Sequence, residues 1–412
     1  MDFNKKLNII SILLGFVLIL GCSEVPKIGS FGYDVSFLKS HTETIVLKSQ
    51  DNACQLAIAP AYQGRIMTST SQGLAGKSYG WINYDLVASH QFEKHINVFG
   101  GEDRFWLGPE GGQYSIFFAP ETTFTMDNWF TPKAIDTAPF IVKKKELNSV
   151  RLSQQIQVKN YKDFIFNLEV DRTVSIFDRV TIENQLEIEI DPKISFVGFQ
   201  SENKITNTGS QRWEKESGLL SIWILGMFAP SPETTVIIPY QGTLELNTDY
   251  FGSRGPDRLV ISKDAVLFKG DGAYRSKIGL PPQNVKSPFF GSYDKKNQIL
   301  TIVKFQFSGG STYVNSLWEQ QDFPYKGDVV NAYNDGPLED GAQLGPFYEL
   351  ESSSESQELQ PGESMEHWHS TFHFEGDFSE FFNSAFGGGR SGQGGFNPFL
   401  TVGMPAAVFH GL

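Results

Sequence analysis

The stretch "RLSQQIQVKNYKDFIFNLEVD", residues 151–171, decides the fold. In its first half Leu152, Ile156 and Val158 share a face, with Ser153, Gln155 and Gln157 opposite. In its second half Phe164, Phe166, Leu168 and Val170 alternate with Asn167 and Glu169. Successive side chains on a strand point to opposite faces, so a period of two reads as strand. One apolar face beside one polar face is the pattern of an antiparallel sheet.

Working outward, the same period recurs. In "RVTIENQLEIEI", residues 179–190, Val180, Ile182, Leu186, Ile188 and Ile190 alternate with Thr181, Glu183, Glu187 and Glu189. In "ILTIVKFQF", residues 299–307, Ile299, Val303, Phe305 and Phe307 line one side. No strand–helix–strand alternation and no short repeat interrupts the series. The chain has 412 residues, 40% of them hydrophobic, with 35 Phe and 40 Gly. Aromatic residues and glycines suit strands and tight turns. The expectation is an all-β protein, one continuous domain over residues 35–380 made of two large antiparallel sheets.

The formal net charge is −13, and no basic stripe is visible. Nucleic-acid binding needs concentrated Lys and Arg, so it is excluded. At the N-terminus Lys5 and Lys6 precede an apolar run from Leu7 to Leu20, too short for a comfortable membrane span. The run ends in Ile19-Leu20-Gly21-Cys22, which resembles the bacterial lipobox. The expectation is a signal peptide over residues 1–21 and lipidation of Cys22. A membrane anchor at the cell envelope follows, by analogy at the outer membrane. Residues 22–34 then read as a tether, and residues 381–412, with "SAFGGGRSGQGGFN", as a Gly-rich tail. With Cys22 acylated, Cys54 has no disulfide partner and reads as a buried structural thiol.

Three stretches carry residues suited to chemistry. In "VFGGEDRFWLGPEGGQYSIFF", residues 98–118, Gly100 and Gly101 permit a tight turn, and Gln113–Phe118 reads as a strand. Glu102, Arg104, Trp106 and Glu110, with His95 just upstream, combine carboxylate, guanidinium and aromatic ring. Sugars present hydroxyl edges to polar groups and C–H faces to rings, so this mixture suits a carbohydrate ligand. Residues 308–346 read as one long loop, and long ordered loops tend to be functional. Within it Asn334-Asp335-Gly336-Pro337 marks a turn. The following "FYELE" puts Phe347, Glu349 and Glu351 on one face, with the two Glu Cα atoms roughly 6.5–7 Å apart. Such a pair can do acid/base work. In "EHWHSTFHF", His367, His369 and His373 share a face that reads as half-exposed. No metal signature is completed, and no cofactor is implied. Motifs of serine hydrolases, nucleotide enzymes and zinc proteases are absent.

"AYQGRIMTST", residues 61–70, resembles the early strand pair of galactose mutarotase-like proteins, in which a Gly-Arg-Ile turn follows the second strand. "GGEDRFWLGPEGGQYSIFF", "RWEKESGLLSIWILGMFAPSPETTVIIPY" and "GDVVNAYNDGPLEDGAQLGPFYELESSS" resemble an uncharacterised family of bacterial secreted proteins and lipoproteins assigned the same fold. The resemblance spans roughly residues 40–375. It implies a β-supersandwich with a sugar cleft on a concave face. In aldose 1-epimerases of this fold a histidine protonates the ring oxygen while a glutamate removes the anomeric proton. Glu349 matches the late glutamate by position. No histidine lies between His95 and His367, so the acid role falls to His95, Glu102 or a C-terminal histidine. Arg65, Arg104, Trp106, Glu110, Asn334 and Asp335 would hold the sugar. The alternatives are carbohydrate lyase or hydrolase action with a paired acid and base, or a glycan-binding or structural envelope protein without catalysis.

Overall fold

The computed structural model describes residues 26–252, 257–338 and 341–377. Cys22, the signal segment and the Gly-rich tail lie outside them. The chain forms an antiparallel ten-stranded sheet, a five-stranded sheet and a three-stranded sheet. The all-β expectation holds, with two large sheets dominating.

Residues 151–171 fall into the long strands Ser149–Lys159 and Ile165–Ile176, which pair directly with Ile156 opposite Leu168. Their neighbours toward the sheet centre are Ser195–Asn207, Ser364–Glu375 and Ile299–Phe305. The five-stranded sheet has the order Ser276–Leu280, Val330–Asn334, Tyr348–Ser353, Ser221–Phe228, Arg104–Gly108. Its inner face packs on the large sheet. Ile278, Val330, Leu350 and Phe228 meet Val236, Phe268, Phe290 and Val303 in one buried cluster. Removing this much apolar surface from water is the main force holding the sheets together.

Polar groups bridge the same seam. Asp103 pairs with Arg172 at 2.5 Å, both fully buried, and accepts from Ser201 Oγ at 2.7 Å. Ser352 Oγ lies 2.8 Å from His367 Nε2 and 2.9 Å from His369 Nδ1. The three histidines of the Ser364–Glu375 strand are therefore buried in the seam, each no more than 1% exposed, and the half-exposed reading is corrected.

Four other expectations change. Residues 179–190 do not form a strand: Arg179–Leu186 is a helix. Asp178 caps it by accepting from Thr181 N at 2.8 Å, and Ile182 and Leu186, four apart, face inward. They cover the outer face of the large sheet, against Ile302, Phe372 and Phe374. That cover explains why "ILTIVKFQF" is buried on both faces over most of its length. Residues 113–118 form turns rather than a strand, with Gly112 at φ 78° and only Phe118 making a bridge, to Trp129. The strand of that stretch is Arg104–Gly108. The tether gives way early: Ser30 caps a helix over Phe31–His41, whose Phe31 and Leu38 are buried on the small sheet. The long loop contains the strand Val330–Asn334.

Candidate active site

The outer face of the five-stranded sheet carries the site. Pairing aligns Lys277, Tyr333, Glu349 and Met227 in one row. The next row holds Gly279, Asn331, Glu351, Leu225 and Arg104. A third holds Ser353, Trp223 and Trp106. Residues two apart along a strand share a face, so these rows form one surface. Each position is set by strand alternation: Ile278 and Leu280 turn inward and leave Lys277 outward, and Leu350 and Ser352 do the same for Glu349 and Glu351.

Two stretches far apart in sequence meet here. Arg104 Nη2 lies 3.4 Å from Glu349 Oε1, and its guanidinium sits 4.0 Å from the centre of the Trp106 ring. Trp223 Nε1 and Lys277 Nζ both donate to Glu351 Oε2, at 2.9 and 3.0 Å. Lys277 also lies over the rings of Trp223, at 4.6 Å, and Tyr250, at 5.3 Å. Asp328 closes this end, accepting from Tyr250 Oη at 2.7 Å and Asn247 Nδ2 at 2.8 Å. Gly279 makes that approach possible: a Cβ there would stand 2.1 Å from Asp328 Oδ2. The Trp106 ring packs on Phe117 and Trp223, and Trp129 stacks between Phe117 and Trp318.

Electrostatics follow from burial. Glu349 is 5% exposed, and its pKa is pushed up to about 8 by loss of water and by Glu351, against Arg104 and Lys277. Burial works against the charge of Lys277, but Glu351, Glu110 and Glu349 outweigh it and hold its pKa above the usual value. Burial raises Glu110, which is half-buried beside the same groups, despite Lys277 and the indoles of Trp318 and Trp129. Arg65 is fully buried and drops to about 9, through burial and then the like charge of Arg104.

Of the residues singled out in the sequence, Arg104, Trp106, Glu110 and Glu349 come together. Arg65 stands behind Arg104, bonded to Gly100 O at 2.9 Å and Gln63 Oε1 at 3.2 Å. Glu102 turns to the seam between the sheets. There it bonds Ser69 N, Ser69 Oγ at 2.9 Å and His373 Nε2 at 2.7 Å. Asn334 points inward to Gly272 N and Tyr274 O. Asp335 holds a turn through Tyr333 Oη, Arg275 Nε at 2.9 Å and the N–H groups of Leu344 and Gly345. His95 contacts the Trp129 carbonyl at 2.6 Å and stacks on Phe130. It lines a separate surface cavity of about 530 Å³ with Asp85, Lys94 and Leu344. Lys277, Trp223, Tyr250 and Asp328 escaped the sequence reading of the site. A lone lysine alternating with Ile278 and Leu280 was the available signal.

The covering segment closes tightly over the sheet. Val314, Ser316 and Asp328 roof a cavity of about 10 Å³ against Trp223, Lys277 and Ser353, room for about one water. A far larger cavity of about 850 Å³ lies away from these groups, lined by Lys48, Asp51, Cys54, Asp178 and Arg179. Cys54 is buried there with Sγ 3.1 Å from Phe196 O, and its thiol is pushed up to about 11 by burial. Among the described residues no group of three or more His, Cys, Asp or Glu is arranged to hold a metal.

The fold and the site together define an all-β protein whose second sheet carries a buried cluster of charged side chains backed by tryptophans. The chain belongs to the Family of unknown function DUF6786, which matches residues 29–384. No curated protein matches it. Among solved structures it resembles the Slr1438 protein from Synechocystis sp. PCC 6803, at 13% identity and TM-score 0.48, covering 82% of this chain and 96% of that one. It also resembles a galactose mutarotase-like protein from Lactobacillus casei, at 11% identity and TM-score 0.46, covering 80% and 100%. A galactose mutarotase related enzyme from Lactobacillus acidophilus matches at 9% identity and TM-score 0.46, covering 80% and 97%. These likenesses concern architecture, and fold does not fix chemistry.

Proposed function

We propose that the outer face of the five-stranded sheet is a saccharide site at which Glu349 and Glu351 exchange protons with the sugar. The observation that carries this reading is the pair's unequal state. Glu349 is held protonated near neutral pH by burial, while Glu351 is ion-paired with Lys277. A carboxyl that keeps its proton beside an ion-paired carboxylate can supply an acid and a base at one pH. Trp106, under Arg104, and Trp223, under Lys277, put indole rings beside them, a residue type that suits the C–H face of a sugar once the site opens.

The step that fits is opening of an aldose ring. Glu351 takes the proton from the anomeric hydroxyl, and Glu349 gives its proton to the ring oxygen. The bond between the anomeric carbon and the ring oxygen breaks as the carbonyl forms. Rotation and the reverse transfers close the ring as the other anomer. This assigns Glu349 the acid role rather than the base role that its position near the end of the chain implied. The histidines take no part, because His367, His369 and His373 are behind the sheet. Admission of a sugar requires the roof at Val314, Ser316 and Asp328 to lift. The chain would work at the cell envelope, anchored through Cys22.

The test is anomer exchange followed by NMR on the purified full chain, with a panel of aldoses and thermal shift recorded in parallel. Ligand binding stabilises the folded state by mass action. Accelerated exchange abolished by Glu349→Gln supports the proposal. Stabilisation without any exchange leaves a glycan-binding protein, and neither effect removes the saccharide site.

A further inference from the structure

The saccharide reading leaves open the charge of the ligand. Arg104 is 2% exposed, yet its Nε and Nη1 find no acceptor among the described residues. Its remaining contact, Nη2 to Glu349, is long at 3.4 Å. Trp106 Nε1, on a residue 3% exposed, also lacks an acceptor. These nitrogens can only donate. A buried donor without a partner is costly, and more so when it carries charge. The Arg104 guanidinium lies over the Trp106 ring, 4.0 Å from its centre, which puts the unpartnered donors of both in one part of the site.

Charge balance points the same way. Arg65 crowds Arg104 as a like charge and bonds only the neutral oxygens of Gly100 and Gln63, and its own Nε is unpartnered among the described residues. Asp136, an acid that acts on both, is engaged by Asn97 at 2.7 Å and has its pKa raised by burial. Glu349, the one carboxyl touching Arg104, has its pKa raised toward the neutral form. Of the other acids that act on Arg104, Glu351 is already ion-paired with Lys277 and burial raises the pKa of Glu110. Planar anionic oxygens match a guanidinium far better than a hydroxyl does. Across the row, Glu351 Oε1 accepts from no N–H group among the described residues, which leaves it for a sugar hydroxyl.

We infer that the preferred ligand is an acidic saccharide, whose anionic oxygens bind Arg104 Nε and Nη1 and Trp106 Nε1 while a hydroxyl donates to Glu351. This rests on the saccharide reading of the same site.

The experiment is calorimetric titration of the full chain with glucuronate, galacturonate, glucose 6-phosphate and galactose 6-phosphate, against neutral glucose and galactose. Acetate and inorganic phosphate serve as anion controls. At least one acidic sugar should bind more than about tenfold tighter than its neutral parent, the factor expected of one charge-assisted hydrogen bond. The uronate and phosphate arms show which acid supplies the oxygens. Arg104→Gln should erase the preference, and Trp106→Phe, which keeps a ring and removes only the N–H, should weaken it several-fold. If Arg104→Gln does not fold, Trp106→Phe decides, and an unchanged preference there overturns the inference. Equal or tighter binding of the neutral parent overturns it too, as does acetate or phosphate matching the sugar acid. Neutral binding alone leaves the saccharide site standing; no binding by any sugar removes both.

Discussion

Arg104 and Glu349 are 245 residues apart in sequence and touch at 3.4 Å in the interior, on edge and central strands of one sheet. The contact is what joins the acidic turn near residue 100 to the strand near residue 350. It also makes Glu349 the natural starting point for testing the site.

Replacing Glu349 by Gln keeps the shape and removes the proton. Under the ring-opening scheme, anomer exchange should fall by about 10²–10⁴-fold, the usual contribution of a positioned acid or base. Sugar binding should survive within a few-fold, since the amide still offers a donor and an acceptor. In the wild type, exchange should decline as the pH rises through about 8, where Glu349 loses its proton. A rate that is flat between pH 6 and 10 would remove Glu349 as the acid.

The same group leaves a mark on stability. The folded pKa of Glu349 is about 8 against an ordinary 4.5, so the folded state binds the extra proton between those values. Stability from this group is full below about 4.5 and is lost as pH rises to 8. Denaturant melts across that window should slope downward, and Glu349→Gln should flatten the slope. An identical slope in the variant would place the proton elsewhere.

Lys277 and Glu351 test the cluster from the other side. Lys277 Nζ is 3.0 Å from Glu351 Oε2, with both side chains buried. Lys277→Met leaves a buried carboxylate without its cation, which should cost about 3–5 kcal/mol in urea unfolding. The double variant Lys277→Met/Glu351→Gln should lose less than the two single losses combined, because the stranded charge is gone. Simple additivity would mean that the two groups do not depend on each other.

Much of this architecture is legible in residues 151–171 and 299–307, because a sheet with one buried face writes its period into the sequence. The reading failed where a second layer covers the other face. Residues 179–190 alternate like a strand, but Ile182 and Leu186 also stand four apart, and Asp178 supplies the cap that tips the segment to a helix. Arg104, Trp106, Glu110 and Glu349 stand out as polar or aromatic residues in apolar strands, and they meet. Glu102 stands beside them in sequence and leaves them in space, since residues 102, 103 and 104 direct their side chains to His373, Arg172 and Glu349 respectively. Nothing local distinguishes those three destinations; pairing between distant strands sets them. Lys277 is invisible for the same reason, as its partner Glu351 is 74 residues away.

The histidines behind the sheet make the last prediction. His367 and His369 share the Ser352 hydroxyl, are fully enclosed, and have pKa values lowered to about 3 and about 4. For both, burial is the main cause. For His367 the second is the neighbouring His369; for His369, Arg172 lowers the pKa further against the pull of Asp103. Depressed pKa values mean that the unfolded chain takes up protons first, from about 6.5 downward, so the stability these residues contribute is complete above 6.5 and falls away toward pH 3. Acid unfolding monitored by tryptophan fluorescence should therefore begin below pH 6.5. His367→Gln with His369→Gln should move the midpoint to lower pH while reducing stability at pH 7, because each amide fills the site less well. This runs opposite to the Glu349 effect, so the two variants separate the limbs of one stability curve. A double variant with an unchanged acid midpoint would show that groups other than these two histidines set the acid limit instead.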